Sequence, residues 1–219
     1  TATTEIYTLS LHDGSSDLAA EHKKSSWAYS GENGPQNWAK LTPEYSACAG
    51  KNQSPIDLTG FVEAELAPLD LHFKSLGGIE SINNGHTVKV NYSEGTYMML
   101  DGVRFDLLQF HFHAPSENNI NGQSYPLEAH FVHADENGNL AVIAQMFEVG
   151  KPNKELNLVW DNLPMRDGDR SYVTPSVHAE ILMAENKEYY RFNGSLTTPP
   201  CSEGVRWIVL KDAMTVSEA

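Results

Sequence analysis

Gln109-Phe110-His111-Phe112-His113 closes a run, residues 105–113, in which apolar and polar side chains alternate. Alternation with period two marks a half-buried β-strand, because successive side chains leave a strand on opposite faces. On such a strand Gln109, His111 and His113 point one way, and Phe110 and Phe112 the other. Two imidazoles then stand side by side on a sheet backed by phenylalanine. After a loop of turn residues comes Glu128-Ala129-His130-Phe131-Val132-His133. The same parity puts Glu128, His130 and Val132 on one face and His133 on the reverse.

Three imidazoles from two neighbouring antiparallel strands can converge on one metal ion. Neutral imidazole suits a borderline cation such as zinc. Three protein ligands leave a fourth tetrahedral position for water or substrate. Gln109 and Glu128 each precede a histidine by two residues on its own face, where each can accept the second ring N–H and fix the tautomer. A lone His-x-His is a weak signal; the third histidine of matching parity and its acidic neighbour bring the metal reading level with coincidence. His133 has the wrong parity and reads as a core or rim histidine. A second metal pattern overlaps the same residues. Jelly-roll proteins of the cupin type use His-x-His followed by Glu, which His111, His113 and Glu117 satisfy, and His133 with Asn137 resembles the end of that pattern. There Glu117 is a ligand, and the function is an oxygenase, an isomerase or a storage protein. The cupin glycine spacing before His111 and the Pro-x-Gly before the last histidine are missing.

Outward from this pair, residues 87–92 and Leu140–Val149 also alternate, and Gly, Pro and Asn interrupt the chain at Gly31-Glu32-Asn33-Gly34-Pro35, Asn83-Asn84-Gly85, residues 118–122 and Glu136-Asn137-Gly138-Asn139. Many short strands between turn signals predict an antiparallel β-rich domain. Only residues 153–163 and 177–186 read as helices. The 219 residues suit one domain. With 15 Lys plus Arg against 29 Asp plus Glu, the net charge of -14 argues against nucleic acid or an anionic membrane as partner. No apolar run is long enough to span a bilayer. Residues 1–26 are polar and read as an N-terminal extension, in part disordered, without a visible signal peptide at Thr1. Cys48 and Cys201 read either as two buried thiols of a cytosolic protein or as one disulfide of an oxidising compartment.

The motifs as a set carry a resemblance. Gln109-Phe110-His111-Phe112-His113-Ala114-Pro115-Ser116-Glu117 with Leu127-Glu128-Ala129-His130-Phe131-Val132-His133 resembles the zinc site of bacterial alpha carbonic anhydrases. Trp27-Ala28-Tyr29, the following segment to Trp38, Asn52-Gln53-Ser54-Pro55-Ile56-Asp57-Leu58, Asn83-Asn84-Gly85-His86, and the run from Gly194-Ser195-Leu196-Thr197-Thr198-Pro199-Pro200-Cys201 to Trp207 resemble that family in the same order. The likeness runs from about Trp27 to Ser217.

The resemblance implies a β-rich α+β fold, with a large twisted, mostly antiparallel central sheet and small surface helices. It implies Zn2+ on His111, His113 and His130, with Gln109 and Glu128 orienting those ligands. Thr197 takes a hydrogen bond from the attacking hydroxide and gives one to Glu117, and Thr198 lines the site. Val132, Val142, Leu196, Val205 and Trp207 form an apolar wall for carbon dioxide. His86 shuttles protons, with Tyr29 and Asn84 holding the connecting waters and Lys89 beside that network. Cys48 and Cys201 pair as a disulfide, which places the protein in the periplasm or outside the cell. The resemblance further implies inhibition by sulfonamides and small anions, cis bonds before Pro55 and Pro200, and a homodimer as an assembly to test.

Three departures stand out. Asn118 follows Glu117 where many relatives have histidine. Lys89 stands three residues after His86, where a neutral polar residue is usual. The chain stops at Thr215-Val216-Ser217-Glu218-Ala219, so the domain, residues 27–219, is expected to lack the usual C-terminal segment. A non-enzymatic carbonic-anhydrase-related binding protein is the alternative. Such relatives lose one or more zinc histidines, and this chain keeps all three.

Overall fold

A computed structural model describes residues 27–74 and 76–218; the N-terminal extension read over residues 1–26 lies outside them. In chain order the strands are β1 (Asp57–Leu58), β2 (Asp70–His72), β3 (Gly78–Asn83), β4 (Val88–Tyr92), β5 (Tyr97–Leu100), β6 (Val103–His113), β7 (Asn119–Ile120), β8 (Leu127–Ala134), β9 (Leu140–Val149), β10 (Arg170–Val177), β11 (Tyr189–Ser195), β12 (Glu203–Leu210) and β13 (Met214–Val216). Helices are few and short: α1 (Trp38–Leu41), α2 (Lys154–Trp160) and four 3-10 segments among the described residues. Eleven strands form one sheet with the path β10-β3-β4-β6-β8-β9-β12-β11, while β1 pairs with β7 apart from it. All pairings in the large sheet are antiparallel except those of β12 and β13 with β9. The β-rich fold with small surface helices is therefore the one observed.

The central strands are buried on both faces, and alternation on β9 divides the apolar interior in two. Ala141, Ile143 and Phe147 join a core with Phe105, Leu107, Phe110 and Phe131, covered by Leu156 and Val159 of α2. Val142, Ala144 and Met146 face the other way, into a cluster with Leu58, Val205, Trp207 and Val209. Each fully buried large side chain of this kind contributes about 2–3 kcal/mol by removal from water. Asn153 starts α2 by accepting the backbone N–H groups of Glu155 and Leu156 at 3.0 and 3.2 Å, as an N-cap does.

The second expected helix, residues 177–186, is not formed. Val177 ends β10, only Ala179–Leu182 makes a 3-10 turn, and the chain continues extended at Met183. Leu182, Met183 and Ala184 are all buried in succession, which no single helix face allows. The Ala184 N–H is instead taken by Gln145 Oε1 at 2.7 Å, from a side chain of β9.

One irregularity decides where the site lies. Leu107 of β6 pairs with His133, but Gln109 pairs with Val132, so Leu108 is an extra residue opposite nothing. This β-bulge resets the register by one. Below it, His111 lies directly opposite His130. Without it, His111 would oppose Ala129, and His130 would face the other side of the sheet. Leu108 is 41% exposed, whereas Leu107 and Phe110 on either side are buried in the same core. The expected strand over residues 105–113 is thus real, but its alternation slips at Leu107-Leu108.

Candidate metal centre

His111, His113 and His130 come together at the centre of the sheet, each offering one nitrogen, with these atoms all within 4.8 Å of one another. Their ring centroids are 4.7 to 5.3 Å apart. The expected orienting partners are in place. His111 Nδ1 lies 2.9 Å from Gln109 Oε1, which directs Nε2 into the cluster. His130 Nε2 lies 2.9 Å from Glu128 Oε1, an ion-pair contact bent off the N–H axis, which leaves Nδ1 for the cluster. His113 Nε2 and Glu117 Oε2 are buried without a hydrogen-bond partner, 3.4 Å apart. Three converging imidazoles, one of them with a buried nitrogen left unsatisfied by protein, are a donor set that fits a zinc ion.

The electrostatics favour neutral imidazoles at His111 and His113. Burial first, then the neighbouring His130 and His113 and the Lys89 cation, hold His111 well below the usual histidine range. Burial and His130 lower His113 to about 3. Burial alone would raise the Glu128 carboxyl, but the His130 charge and hydrogen bonds from His130 and Asn118 outweigh it and keep it below the usual range. Burial would lower His130, and Glu128 pulls it back above its ordinary value. Burial raises Glu117, against the pull of His130 and of a hydrogen bond with Thr197.

The apolar wall follows from strand register. Val132 opposes Val142, and Val142 opposes Trp207 across β8, β9 and β12, all on the face that carries His130. Leu196 and Val205 complete the same apolar cluster. The Trp207 ring stands 4.9 Å from His130. Thr197 and Thr198 are half-buried on the loop that follows β11.

That loop is bound to the segment before β1. Cys48 and Cys201 form a disulfide, and among the described residues no cysteine is free. Ser54 and Ser195 exchange hydrogen bonds, each backbone N–H donating to the other's Oγ at 2.9 and 3.1 Å. Glu203 Oε1 accepts from the Asn52 N–H at 2.8 Å and from Gln53 Nε2 at 3.0 Å. Gly194 permits this closeness: a Cβ there would sit 2.1 Å from Ser54 Oγ. The residues stand in separate motifs of the sequence, and the clasp they form across the fold has no local signal. The bonds before Pro55 and Pro200 are cis, as expected, and those before Pro115 and Pro175 are cis as well.

At the rim, His86 is exposed on the turn between β3 and β4. Its ring stacks on Trp27 with centroids 3.6 Å apart and 11° between planes. Tyr29 meets Trp27 edge-on at 5.2 Å. Burial against this cluster, and secondarily the Glu117 carboxylate, push the Tyr29 phenol up to about 12. Asn84 Oδ1 accepts the backbone N–H groups of His86 and Thr87, so its oxygen shapes the turn. Lys89 is half-buried on β4 directly opposite His111 and shares its face. The packing of Trp27 on His86 went unread in the sequence, because nothing local links residues so far apart.

The cupin-type alternative fails on this geometry. His133 lies on the reverse face, buried, with Nδ1 2.8 Å from the Phe131 carbonyl oxygen. The sheet is also not two jelly-roll layers.

A single large sheet carries three histidines on one face beside an apolar wall, two of them oriented by neighbouring side chains, and together they form a candidate three-histidine metal site. The sequence profile of the eukaryotic-type carbonic anhydrase family matches residues 33–219. The carbonic anhydrase of Pectobacterium carotovorum is 48% identical over 192 residues, 87% of this chain and 78% of that one. A hyperthermostable carbonic anhydrase from a hydrothermal vent chimney superposes with a TM-score of 0.86 at 53% identity, covering 88% of this chain and 86% of that one. The alpha carbonic anhydrase of Thermovibrio ammonificans, solved with sulfanilamide, gives 0.86 at 51% identity over 89% and 87%. The chain belongs to the eukaryotic-type, or alpha, carbonic anhydrase family. A three-histidine zinc site with an open position is this family's own type case, so the donor set and the family membership are one line of support.

Proposed function

We propose that the chain catalyses the reversible hydration of carbon dioxide to bicarbonate and a proton, with Zn2+ held by His111, His113 and His130. The observation that carries this reading is the convergence of three imidazoles beside a wall of Val132, Val142, Leu196, Val205 and Trp207. Zinc, when bound, supplies Lewis acidity that makes hydroxide available near neutral pH, a chemistry for which carbonic anhydrase is itself the standard example.

The protein's own groups do the rest. Gln109 and Glu128 fix which ring nitrogens of His111 and His130 carry protons. Glu117 takes the Thr197 hydroxyl proton as a hydrogen bond. Thr197 is then left as an acceptor, so an approaching hydroxide turns its proton to Thr197 and its lone pair to the wall. Carbon dioxide is apolar and needs no charged clamp; the wall supplies proximity without holding bicarbonate tightly. Thr198 lines the mouth of the wall.

One proton leaves in each hydration cycle. An acid of pKa about 7 releases protons to bare water at no more than about 10³ s⁻¹, given a diffusion limit of about 10¹⁰ M⁻¹s⁻¹. A faster enzyme needs a relay to buffer. His86 takes that role, since it is exposed at the rim and histidine is a common proton relay. Tyr29 and Asn84 hold waters between it and the metal, with Lys89 at their edge. Among the described residues no helix is long and apolar enough to cross a membrane. The disulfide supports a periplasmic or secreted protein. Sulfonamides and small anions would bind where the three imidazoles converge.

Metal analysis and stopped-flow hydration of carbon dioxide test the proposal. One zinc per chain with sulfonamide-sensitive hydration is expected. A chain that folds yet takes up no zinc, or takes it up and hydrates nothing, overturns it.

A further inference from the structure

Asn118 is fully buried, and every polar atom of its side chain is engaged. Its Nδ2 donates to Glu128 Oε1 at 2.8 Å. Its backbone N–H and that of Glu117 donate to Glu128 Oε2 at 2.9 and 2.7 Å. His130 Nε2 approaches Oε1 at 2.9 Å. One sealed carboxylate thus has nitrogen donors on both oxygens. An amide can be placed two ways round, but here the backbone decides. Ile56 N–H can only donate, and it lies 3.1 Å from Oδ1. The oxygen therefore faces Ile56, and the NH2 group faces Glu128.

From this geometry we infer that Asn118 is a positioning residue for the third metal ligand, fixing Glu128 Oε1 at the point where it meets His130 Nε2. The inference rests on His130 being a zinc ligand. Glu128 Oε2 is held by two backbone donors on the Glu117-Asn118 turn, so that oxygen moves only if the turn moves. Oε1 has no backbone donor among its contacts. Without Asn118 Nδ2 it would be held by His130 alone, and the two would be free to tilt together. In a buried site such a loose pair is costly, and the ring that tilts is the one presenting Nδ1 to the metal. Asn118 does this with a group that is donor on one side and acceptor on the other and carries no charge. It also ties the ligand to the Ser54–Ile56 backbone, whose Ser54 holds Ser195 beside the Thr197 loop. One short segment is thereby bonded to both halves of the site.

The test compares zinc-loaded wild type with Asn118→Leu, which keeps the shape of the side chain and removes both donor and acceptor, and with Asn118→His, whose imidazole again offers one donor and one acceptor. Zinc release into excess chelator is the main readout, and the visible spectrum of the Co2+-substituted protein reports ligand geometry. Asn118→Leu is expected to release zinc about tenfold faster and to shift the cobalt bands. Asn118→His is expected to return release to within about threefold of wild type. If the leucine variant does not fold, Asn118→Ser, whose hydroxyl is too short to reach Glu128, replaces it. Equal release rates and spectra in wild type and the donor-less variant overturn the inference. So does a histidine variant that releases zinc as fast as leucine, since the donor would then be irrelevant. Carbon dioxide hydration is measured separately: zinc release that follows the expected order without any hydration would remove the proposed function and leave the role of Asn118 standing.

Discussion

His130 and His86 are assigned to one reaction, yet they are held in opposite ways. His130 is 2% exposed, lies in register between two strands, and has Glu128 at one nitrogen and the metal cluster at the other. His86 is exposed on a turn, and its ring is held by stacking on Trp27 with the Tyr29 ring edge-on at 6.3 Å. The difference follows from the tasks. A ligand must keep one geometry through every cycle, so the fold spends buried hydrogen bonds on it. A relay must exchange protons with solvent, so it belongs where water reaches. The floor of the site is therefore rigid and sequence-local, and the rim is open and assembled from distant pieces.

The sharpest way to break this contrast is His130→Ala. Loss of one floor ligand should abolish stoichiometric zinc and lower hydration by at least about a thousandfold, well beyond the 10- to 100-fold typical of outer partners. Retention of zinc, or loss of it in His133→Ala instead, would show that the wrong histidine was assigned to the floor.

The disulfide probes whether the Thr197 loop belongs to the rigid or the open part. Closing so long a loop is worth about 5 kcal/mol in the chain-entropy model. Thiol titration of the unfolded, unreduced protein should find no free thiol. Reduction, or Cys48→Ser with Cys201→Ser, should lower the unfolding free energy from denaturant titration by most of that amount. If the Ser54–Ser195 and Glu203 ties hold the loop locally, the reduced protein should keep its hydration rate while losing stability. A parallel loss of both would place the loop with the rim.

Acid sharpens the reading of the reverse face. Burial lowers His133 to about 4, below the 6.5 of an unstructured histidine, with bonds to Phe131 and Ala141 opposing. Between these values the unfolded chain binds the proton and the folded one does not. The contribution is intact above pH 6.5 and is lost as pH falls toward 4, amounting to about 3 kcal/mol. In metal-free protein the ligand histidines titrate too, so His133→Gln is the comparison. Its stability should fall less between pH 7 and 4 by about that amount. An unchanged acid loss would mean that His133 is hydrated or already charged.

The smallest effect belongs to the rim. His86→Ala should lower kcat by about tenfold or more while leaving kcat/KM intact, because the hydration step itself is untouched. Added imidazole should restore much of the rate. An unchanged kcat in dilute buffer would show that the route through His86 carries no flux, with Lys89 beside it the first residue to examine.

Legibility divides along the same line. The candidate ligands and their partners were half readable from parity, which puts Gln109, His111 and His113, and separately Glu128, His130 and Val132, on single faces; the family resemblance completed the assignment. The relation between the two strands was not readable, since it depends on where Leu108 drops out of register. The doubling Leu107-Leu108 is a signal in hindsight, but two leucines in a row occur in many uninterrupted strands. The false helix over residues 177–186 had local composition on its side and lost to Gln145, a side chain on a distant strand. Trp27, Ser54 and Glu203 act through partners far along the chain, and no local pattern names such partners.

The bulge at Leu108 also sets a rule for how this chain can change length. Insertions or deletions in the turn at Asp101-Gly102, or in the loop before Leu127, leave the phase of β6 against β8 untouched. Loss of Leu108 would remove the bulge and leave Leu107 opposite His133 and Gln109 opposite Val132, so the ladder closes with His111 still facing His130. A residue gained there shifts His111 against His130 by one and turns the two to opposite faces, unless the bulge widens to absorb it. The bulge is therefore spare length, and this stretch can shorten by one residue more readily than it can lengthen by one.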